Sequence, residues 1–110
     1  MPESQRYQSF QEFWPHYVRE HGLPLTRRLH FVGTLAAIIT LAAAVAADWR
    51  LLALVPVAGY GFAWYSHFFV ERNRPATFTY PAWSLAGDLR MFWLMLNGRM
   101  DAEVAKHAGR

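Results

Sequence analysis

The stretch LLALVPVAGYGFAWYSHFFV, residues 51–70, contains no Lys, Arg, Asp or Glu. As a helix it would be about 30 Å long, which is close to the thickness of the hydrocarbon core of a bilayer. A second uncharged run covers residues 31–47 and would extend about 26 Å as a helix. Only residues 48–50 separate the two runs. We therefore predict an integral membrane hairpin of two antiparallel transmembrane helices, over residues 27–47 and 50–72.

The hydropathy of the whole chain agrees with apolar residues concentrated in segments. Hydrophobic residues make up 54% of the 110 residues, yet the mean hydropathy is only +0.02, so polar segments must balance the two runs. A soluble bundle with two buried helices is the alternative. A single domain of this length has little surface with which to cover two helices that are apolar on all sides, so we favour the membrane hairpin.

The basic residues predict the orientation of the hairpin. Arg50 is the only Lys or Arg between residues 31 and 70, although the chain has 11 of them. The positive-inside rule then places both termini in the cytoplasm, with Trp49 at the far interface. The bilayer is the expected partner. The net charge of +3 is scattered and forms no basic stripe, which argues against nucleic acid, and the absence of cysteine excludes thiolate chemistry.

An amphipathic helix is predicted before the hairpin, over residues 7–21. Ser9 and Glu12 have the spacing of a capping box, and aromatic residues follow them on one side. A helix with this composition is typical of a membrane surface. Thr26 is then the expected N-cap of the first transmembrane helix.

A second amphipathic helix is predicted after the hairpin, over residues 81–97, with Pro81 in its first turn. Asp88 and Arg90 lie in its middle, and each would cost about 2.5–3.5 kcal/mol at the centre of a bilayer. We therefore predict an interfacial or re-entrant helix, with a third transmembrane span as the alternative. Residues 101–110 are polar and are predicted to form a frayed tail.

Small side chains recur along the first predicted transmembrane helix at spacings of three and four residues. Such stripes let membrane helices approach closely. The stripe consists of Gly33, Ala37, Thr40, Ala44 and Ala47, and the second helix offers Ala58, Gly59, Gly61 and Ala63. We expect the hairpin to use this stripe first, and a homo-oligomer formed through it is a further possibility.

Three histidines are predicted to meet at the cytoplasmic end of the hairpin. His30 begins the first span and His67 ends the second, so antiparallel packing brings them to one depth, and His21 reaches that depth through a short link. Glu71 follows His67 by four residues and shares its helical face. Imidazoles with a carboxylate suit Fe(II), Zn(II) or Mn(II). The alternatives are interfacial histidines without a ligand role, and an axial haem pair, for which the small-residue stripe leaves little room.

The spacing of these residues resembles that of the Mpo-like family, formerly a domain of unknown function, whose members include a dioxygenase of 2-hydroxy fatty acids. The stretch ERNRPATFTYPAWSLAGDLRMFW resembles its short bacterial branch, and the resemblance covers about residues 7–100. The pattern that carries it is His21, eight residues, His30, an apolar run, and then His67-x-x-x-Glu71-x-x-x-Pro75-Ala76.

The resemblance implies a multi-pass protein of the bacterial inner membrane that uses Fe(II) and O2. The implied reaction is α-oxidation, in which a 2-hydroxy fatty acid is shortened by one carbon. The implied metal ligands are His21, His30 and His67, with Glu71 as a catalytic group that either binds the metal or holds His67. Candidate substrate contacts are Arg28, Arg72, Asn73 and Tyr60. The alternative function is a small non-catalytic membrane protein that binds lipid or a partner protein.

Overall fold

A computed structural model describes residues 7–107, which are helical with no strand among them, so the all-α prediction is confirmed. A 3₁₀ turn (Trp49–Ala53) precedes the third helix, a π turn (Ser66–Glu71) follows it, and a short 3₁₀ turn covers Ala76–Phe78. The five α-helices are α1 (Phe10–Arg19), α2 (Pro24–Ala46), α3 (Leu54–Tyr65), α4 (Pro81–Leu96) and α5 (Met100–His107).

Helix α1 begins where the capping signal placed it. The Ser9 hydroxyl accepts a hydrogen bond from the Glu12 backbone N–H at 3.2 Å, which satisfies one of the free donors of the first turn. One side of the helix is buried against α4 and α5 in an aromatic core. The fully or nearly buried members of this core include Phe13, Trp14, Tyr17, Val18, Tyr80 and Met91. The amphipathic character predicted for α1 is therefore present, while its location at a membrane surface stays a prediction.

Helices α2 and α3 form a tight antiparallel pair through small residues. A Cβ added to Gly33 would lie 3.0 Å from the Gly59 carbonyl oxygen and 3.0 Å from Phe62 Cβ, so any other residue would push the two helices apart by a few tenths of an ångström. The interface predicted between the two small-residue stripes is confirmed at this point. Gly61 does not take part, because a Cβ there would meet nothing within 4 Å.

The start of α2 differs from the prediction. Thr26 is not the N-cap but lies inside the first turn, where it is fully buried. Leu23 occupies the N-cap position and Pro24 the first helical position, since the fixed φ of proline suits that place and its missing N–H costs nothing there.

The second predicted transmembrane helix, over residues 50–72, is divided into three helical segments. The α-helical part is limited to α3, and the chain widens into the π turn before it reaches Arg72, whose φ of 60° ends the helix in the left-handed region. Among the described residues, one helix, α2, is long and apolar enough to cross a membrane. The second span therefore stays a prediction, as does a homo-oligomer.

Most of the tail predicted over residues 101–110 belongs to a docked helix, α5, while residues 108–110 lie outside the described residues. Met100 is buried at its start, and Glu103 accepts a 2.7 Å hydrogen bond from the Trp14 indole nitrogen. Asp101 lies 3.6 Å from the Arg27 guanidinium. These contacts could not be predicted from the polar composition of the segment, because they are made by a few single side chains with partners on α1 and α2.

Candidate metal centre

Three elements each bring one histidine to a common point. His21 lies in the link after α1, His30 in the second turn of α2, and His67 in the π turn. The ring centroids are 4.4 Å apart for His21 and His30, 4.6 Å for His21 and His67, and 4.9 Å for His30 and His67. Each residue is at most 4% exposed. The structure thus brings together the three histidines that the sequence pattern singled out.

The Nδ1 atoms of His21 and His30 are held by their own helices. His21 Nδ1 lies 2.6 Å from the Tyr17 carbonyl oxygen, and His30 Nδ1 lies 2.9 Å from the Thr26 carbonyl oxygen. A carbonyl oxygen can only accept, so both Nδ1 atoms carry the hydrogen and donate. The Nε2 atoms of both rings are consequently left with free lone pairs.

Asn73 fixes the tautomer of His67 in the same way. The Asn73 Oδ1 lies 2.6 Å from His67 Nδ1, while the Asn73 Nδ2 donates to the Glu20 carbonyl oxygen at 3.1 Å. Because that second bond determines which side of the Asn73 amide is oxygen, His67 Nδ1 must be the donor. Asn73 therefore holds His67, and its predicted contact with the substrate stays a prediction.

A serine gives His30 a second acceptor. The Ser66 hydroxyl donates to the Ala63 carbonyl oxygen at 2.7 Å and lies 3.2 Å from His30 Nδ1. With its hydrogen committed to Ala63, the hydroxyl can only accept from His30. Its sequence position beside His67 was the one signal that could have pointed to Ser66.

The free nitrogens of His21 and His30 lie at the separation expected of two ligands of one metal ion. His21 Nε2 and His30 Nε2 are 3.1 Å apart, and the ligand atoms of all three histidines lie within 4.8 Å of one another. Two nitrogens bound at about 2.1 Å would be separated by about 3.0–3.4 Å at angles between right-angled and tetrahedral. Two unprotonated nitrogens repel each other at this distance unless a cation lies between them, so the residues fit a bound metal ion.

Burial keeps His21 in the state that binds metals. Loss of solvent, reinforced by the neighbouring His30 and His67 rings, holds the pKa of His21 well below its usual value. The imidazole is therefore neutral at physiological pH, as coordination requires. Arg27 also donates to the backbone carbonyl oxygens of His21 and Gly22, each at 2.8 Å, which fixes the link that carries His21.

Glu71 is joined to the backbone rather than to the histidine cluster. Its Oε2 accepts a 2.7 Å hydrogen bond from the Leu23 N–H, at the start of α2. Leu23 has no side chain that can cap the helix, so the carboxylate of Glu71 serves that need and, as an anion, suits a helix N-terminus. Glu71 thereby fastens the π turn to the link between His21 and α2.

The other candidate substrate residues are spread over separate surfaces. Arg28 is exposed on α2, and Arg72 lines an open pocket beside the π turn together with Asn73, Arg74 and two phenylalanines. Tyr60 lines a different cavity, between α2, α3 and α4. His16 pairs with Glu20 at 3.2 Å, outside the cluster.

Tyr17 packs against the cluster and Asp88 holds Tyr17, and neither residue was predicted to belong to the site. The Tyr17 ring stacks on His21 with centroids 4.0 Å apart, and its hydroxyl donates to Asp88 Oδ1 at 2.5 Å. Burial raises the pKa of Asp88 to about 7, and burial next to Asp88 raises the pKa of Tyr17 well above its usual value. The position of Tyr17 four residues before His21 is the signal that indicates this contact.

The fold and the site define an all-helical chain with a buried cluster of three histidines suited to a metal ion. Over residues 7–100 it matches the family described as 2-hydroxy-palmitic acid dioxygenase Mpo1-like. The chain belongs to this Mpo1-like family, as the spacing of its histidines predicted. The comparisons with curated proteins and with solved structures gave no match.

Proposed function

We propose that the protein is an Fe(II)-dependent, membrane-embedded dioxygenase that acts in the α-oxidation of 2-hydroxy fatty acids. The metal assignment rests on three buried imidazoles whose Nδ1 atoms all donate to fixed acceptors, which leaves Nε2 free on each ring. The ligand atoms of the three histidines lie within 4.8 Å of one another. The family description supports the reaction class and the substrate. Fe(II), when bound, would supply the redox chemistry that allows O2 to react.

The residues of the chain hold and shield this centre. His21, His30 and His67 would bind the metal, and the three histidines leave further coordination positions open, as oxygenase chemistry requires. Asn73 orients His67, and hydrogen bonds of this kind fix the ring and raise its basicity. Glu71 joins the π turn that carries His67 to the start of α2 through its hydrogen bond with Leu23, so we assign it a positioning role.

The open pocket beside the π turn is the proposed approach for the substrate carboxylate. Arg72 and Arg74 line it, and Asn73 joins it to His67. Two guanidinium groups next to a site attract carboxylates and can bind them in a bidentate manner. Arg28 and Tyr60 lie on other surfaces, so Arg72 and Arg74 are the residues that we propose bind the substrate carboxylate.

The membrane assignment rests on the exposed apolar side chains of the hairpin. Ile39 is 60% exposed, Val45 81% and Val57 64%, and these lie on both helices. Exposed apolar surface of this kind marks contact with lipid or with a partner. We propose that both helices span the bacterial inner membrane with cytoplasmic termini, since the basic residues lie at the histidine end of the hairpin.

Anaerobic loading with Fe(II) tests the metal assignment directly. The purified protein should bind one Fe(II) per chain, and His67→Ala should abolish both this binding and the consumption of 2-hydroxypalmitic acid in a membrane assay. His107→Ala is the control, because His107 lies in α5, outside the histidine cluster, and is paired with Glu103 at 3.7 Å. Wild-type protein that takes up no iron would support the non-catalytic alternative, a small membrane protein that binds lipid or a partner.

A further inference from the structure

A cavity outside the histidine cluster runs along the hairpin. It has a volume of about 350 Å³ and lies between α2, α3 and α4. This size falls within the range of about 300–1,000 Å³ that is usual for small-molecule sites. Within residues 7–107, neither Lys, Arg nor His lines it. We call this cavity the hairpin groove.

The hairpin groove has a polar end and an apolar end. Its polar lining residues are Thr34, Tyr60 and Asp88, while the remainder are apolar and include Ile38, Leu41, Val55 and Leu85. Along α2, Thr34 lies about 6 Å of helix rise beyond His30, and Leu41 about 16 Å beyond it. Along α2, the polar lining residue is therefore the one nearest the histidine cluster, whereas on α4 Leu85 and Leu89 lie within one turn of Asp88.

The polar end is also connected to the cluster by direct contacts. Asp88 accepts from the Tyr17 hydroxyl, and the Tyr17 ring stacks on His21. On α3, Tyr60 precedes His67 by seven residues, whereas Val55 precedes it by twelve. A ligand with its headgroup at the histidines would meet hydroxyl and carboxyl groups first and hydrocarbon afterwards.

We infer that the hairpin groove binds the alkyl chain of the fatty acid and that its far end, at Leu41 and Val55, limits chain length. This inference rests on the proposed function, because it takes the headgroup to lie at the histidine cluster. The decrease in polarity along α2 matches a molecule with one polar end and a long hydrocarbon tail. A phospholipid has the same gradient of polarity, so the test of occupancy has to distinguish the fatty acid from bulk lipid by competition.

Photo-crosslinking tests occupancy without requiring turnover. The probe is 2-hydroxypalmitic acid with a diazirine near its methyl end, added to protein in phosphatidylcholine nanodiscs. We expect labelling within residues 34–41, 55–60 or 85–89, and competition by unlabelled 2-hydroxypalmitic acid. Labelling that an excess of this acid does not reduce would mean that bulk lipid fills the groove and would overturn the inference.

Two glycines on α3 provide a matched pair of variants. A Cβ on Gly59 would lie 3.6 Å from Ala37 Cβ, in ordinary contact, so the side chain of Gly59→Leu would enter the groove. Gly61 points to another face, where a Cβ meets nothing within 4 Å. Labelling should fall about tenfold in Gly59→Leu and stay at the wild-type level in Gly61→Leu. Equal losses in both variants would contradict the assignment.

Leu41→Trp tests the limit on chain length and avoids the tightly packed centre of the hairpin, because Leu41 is already 46% exposed. The ratio of kcat/KM for 2-hydroxypalmitic acid to that for 2-hydroxyoctanoic acid should fall about tenfold, the lower end of what one methylene is worth in an apolar enzyme pocket. If the enzyme is active and this ratio of kcat/KM values is unchanged, the chain-length inference is refuted but the proposed function is not. Groove labelling without any turnover would instead refute the proposed dioxygenase.

Discussion

Asn73→Ala should weaken metal binding although Asn73 is not a metal ligand. The substitution removes the acceptor 2.6 Å from His67 Nδ1 and the donor 3.1 Å from the Glu20 carbonyl oxygen. Without that acceptor, the His67 ring can rotate or move its hydrogen to Nε2, which would then no longer bind a metal. Loss of a hydrogen bond behind a ligating histidine typically costs 10–100-fold in affinity, or about 1.4–2.8 kcal/mol.

The assay is an anaerobic Fe(II) titration against a competing chelator. Asn73→Asp separates the two roles of the side chain, because a carboxylate still accepts from His67 but cannot donate to Glu20. This variant should bind Fe(II) within a few-fold of wild type while it loses thermal stability. Asn97→Ala is the matched control, since Asn97 donates to the Trp93 carbonyl oxygen at 2.8 Å on an exposed surface. Wild-type affinity in Asn73→Ala would refute the role assigned to this residue.

Three further predictions concern the groups that support the cluster. Glu71→Gln keeps an acceptor for the Leu23 N–H and should retain Fe(II) binding within a few-fold; loss of binding in the same titration would show that the carboxylate is a ligand. Gly87→Ala places a Cβ 2.8 Å from the Tyr17 ring and should lower both the thermal stability and the Fe(II) affinity, whereas an unchanged melting temperature would contradict this packing. Asp88 has a folded-state pKa of about 7 against an ordinary 3.8, so it binds more protons folded than unfolded, and its contribution to stability is lost as pH rises from about 4 through 7. The melting temperature of Asp88→Asn should therefore rise relative to that of wild type as pH increases over that range. A difference in melting temperature that does not change with pH would refute the raised pKa.

The helical fold and the convergence of the three histidines could be predicted because both follow from spacing. Uncharged runs of helical length, separated by a three-residue turn, leave few arrangements other than an antiparallel hairpin. Such a hairpin sets His30 beside the turn that carries His67. The link between α1 and α2 is too short to take His21 far away.

The groups that hold these histidines could not be read from the sequence in the same way. The shared helical face of His67 and Glu71 suggested a carboxylate ligand, but the chain forms a π turn there, and the Glu71 carboxylate accepts from the Leu23 backbone N–H. The α5 segment looked unstructured because it has only two apolar side chains in the core, Met100 and Val104, and its other contacts are single polar ones to Trp14 and Arg27. Asp88 was treated as a charge, although the interior raises its pKa.

X-ray absorption spectroscopy of the anaerobically loaded iron protein tests the central claim most directly, because it counts the imidazole ligands of the metal. We predict one iron per chain with three imidazoles, a spectrum unchanged in Glu71→Gln, and one imidazole fewer or no bound iron in His21→Ala, His30→Ala and His67→Ala. A spectrum with fewer than three imidazoles in the wild-type protein, or one that the three alanine variants leave unchanged, would contradict the account.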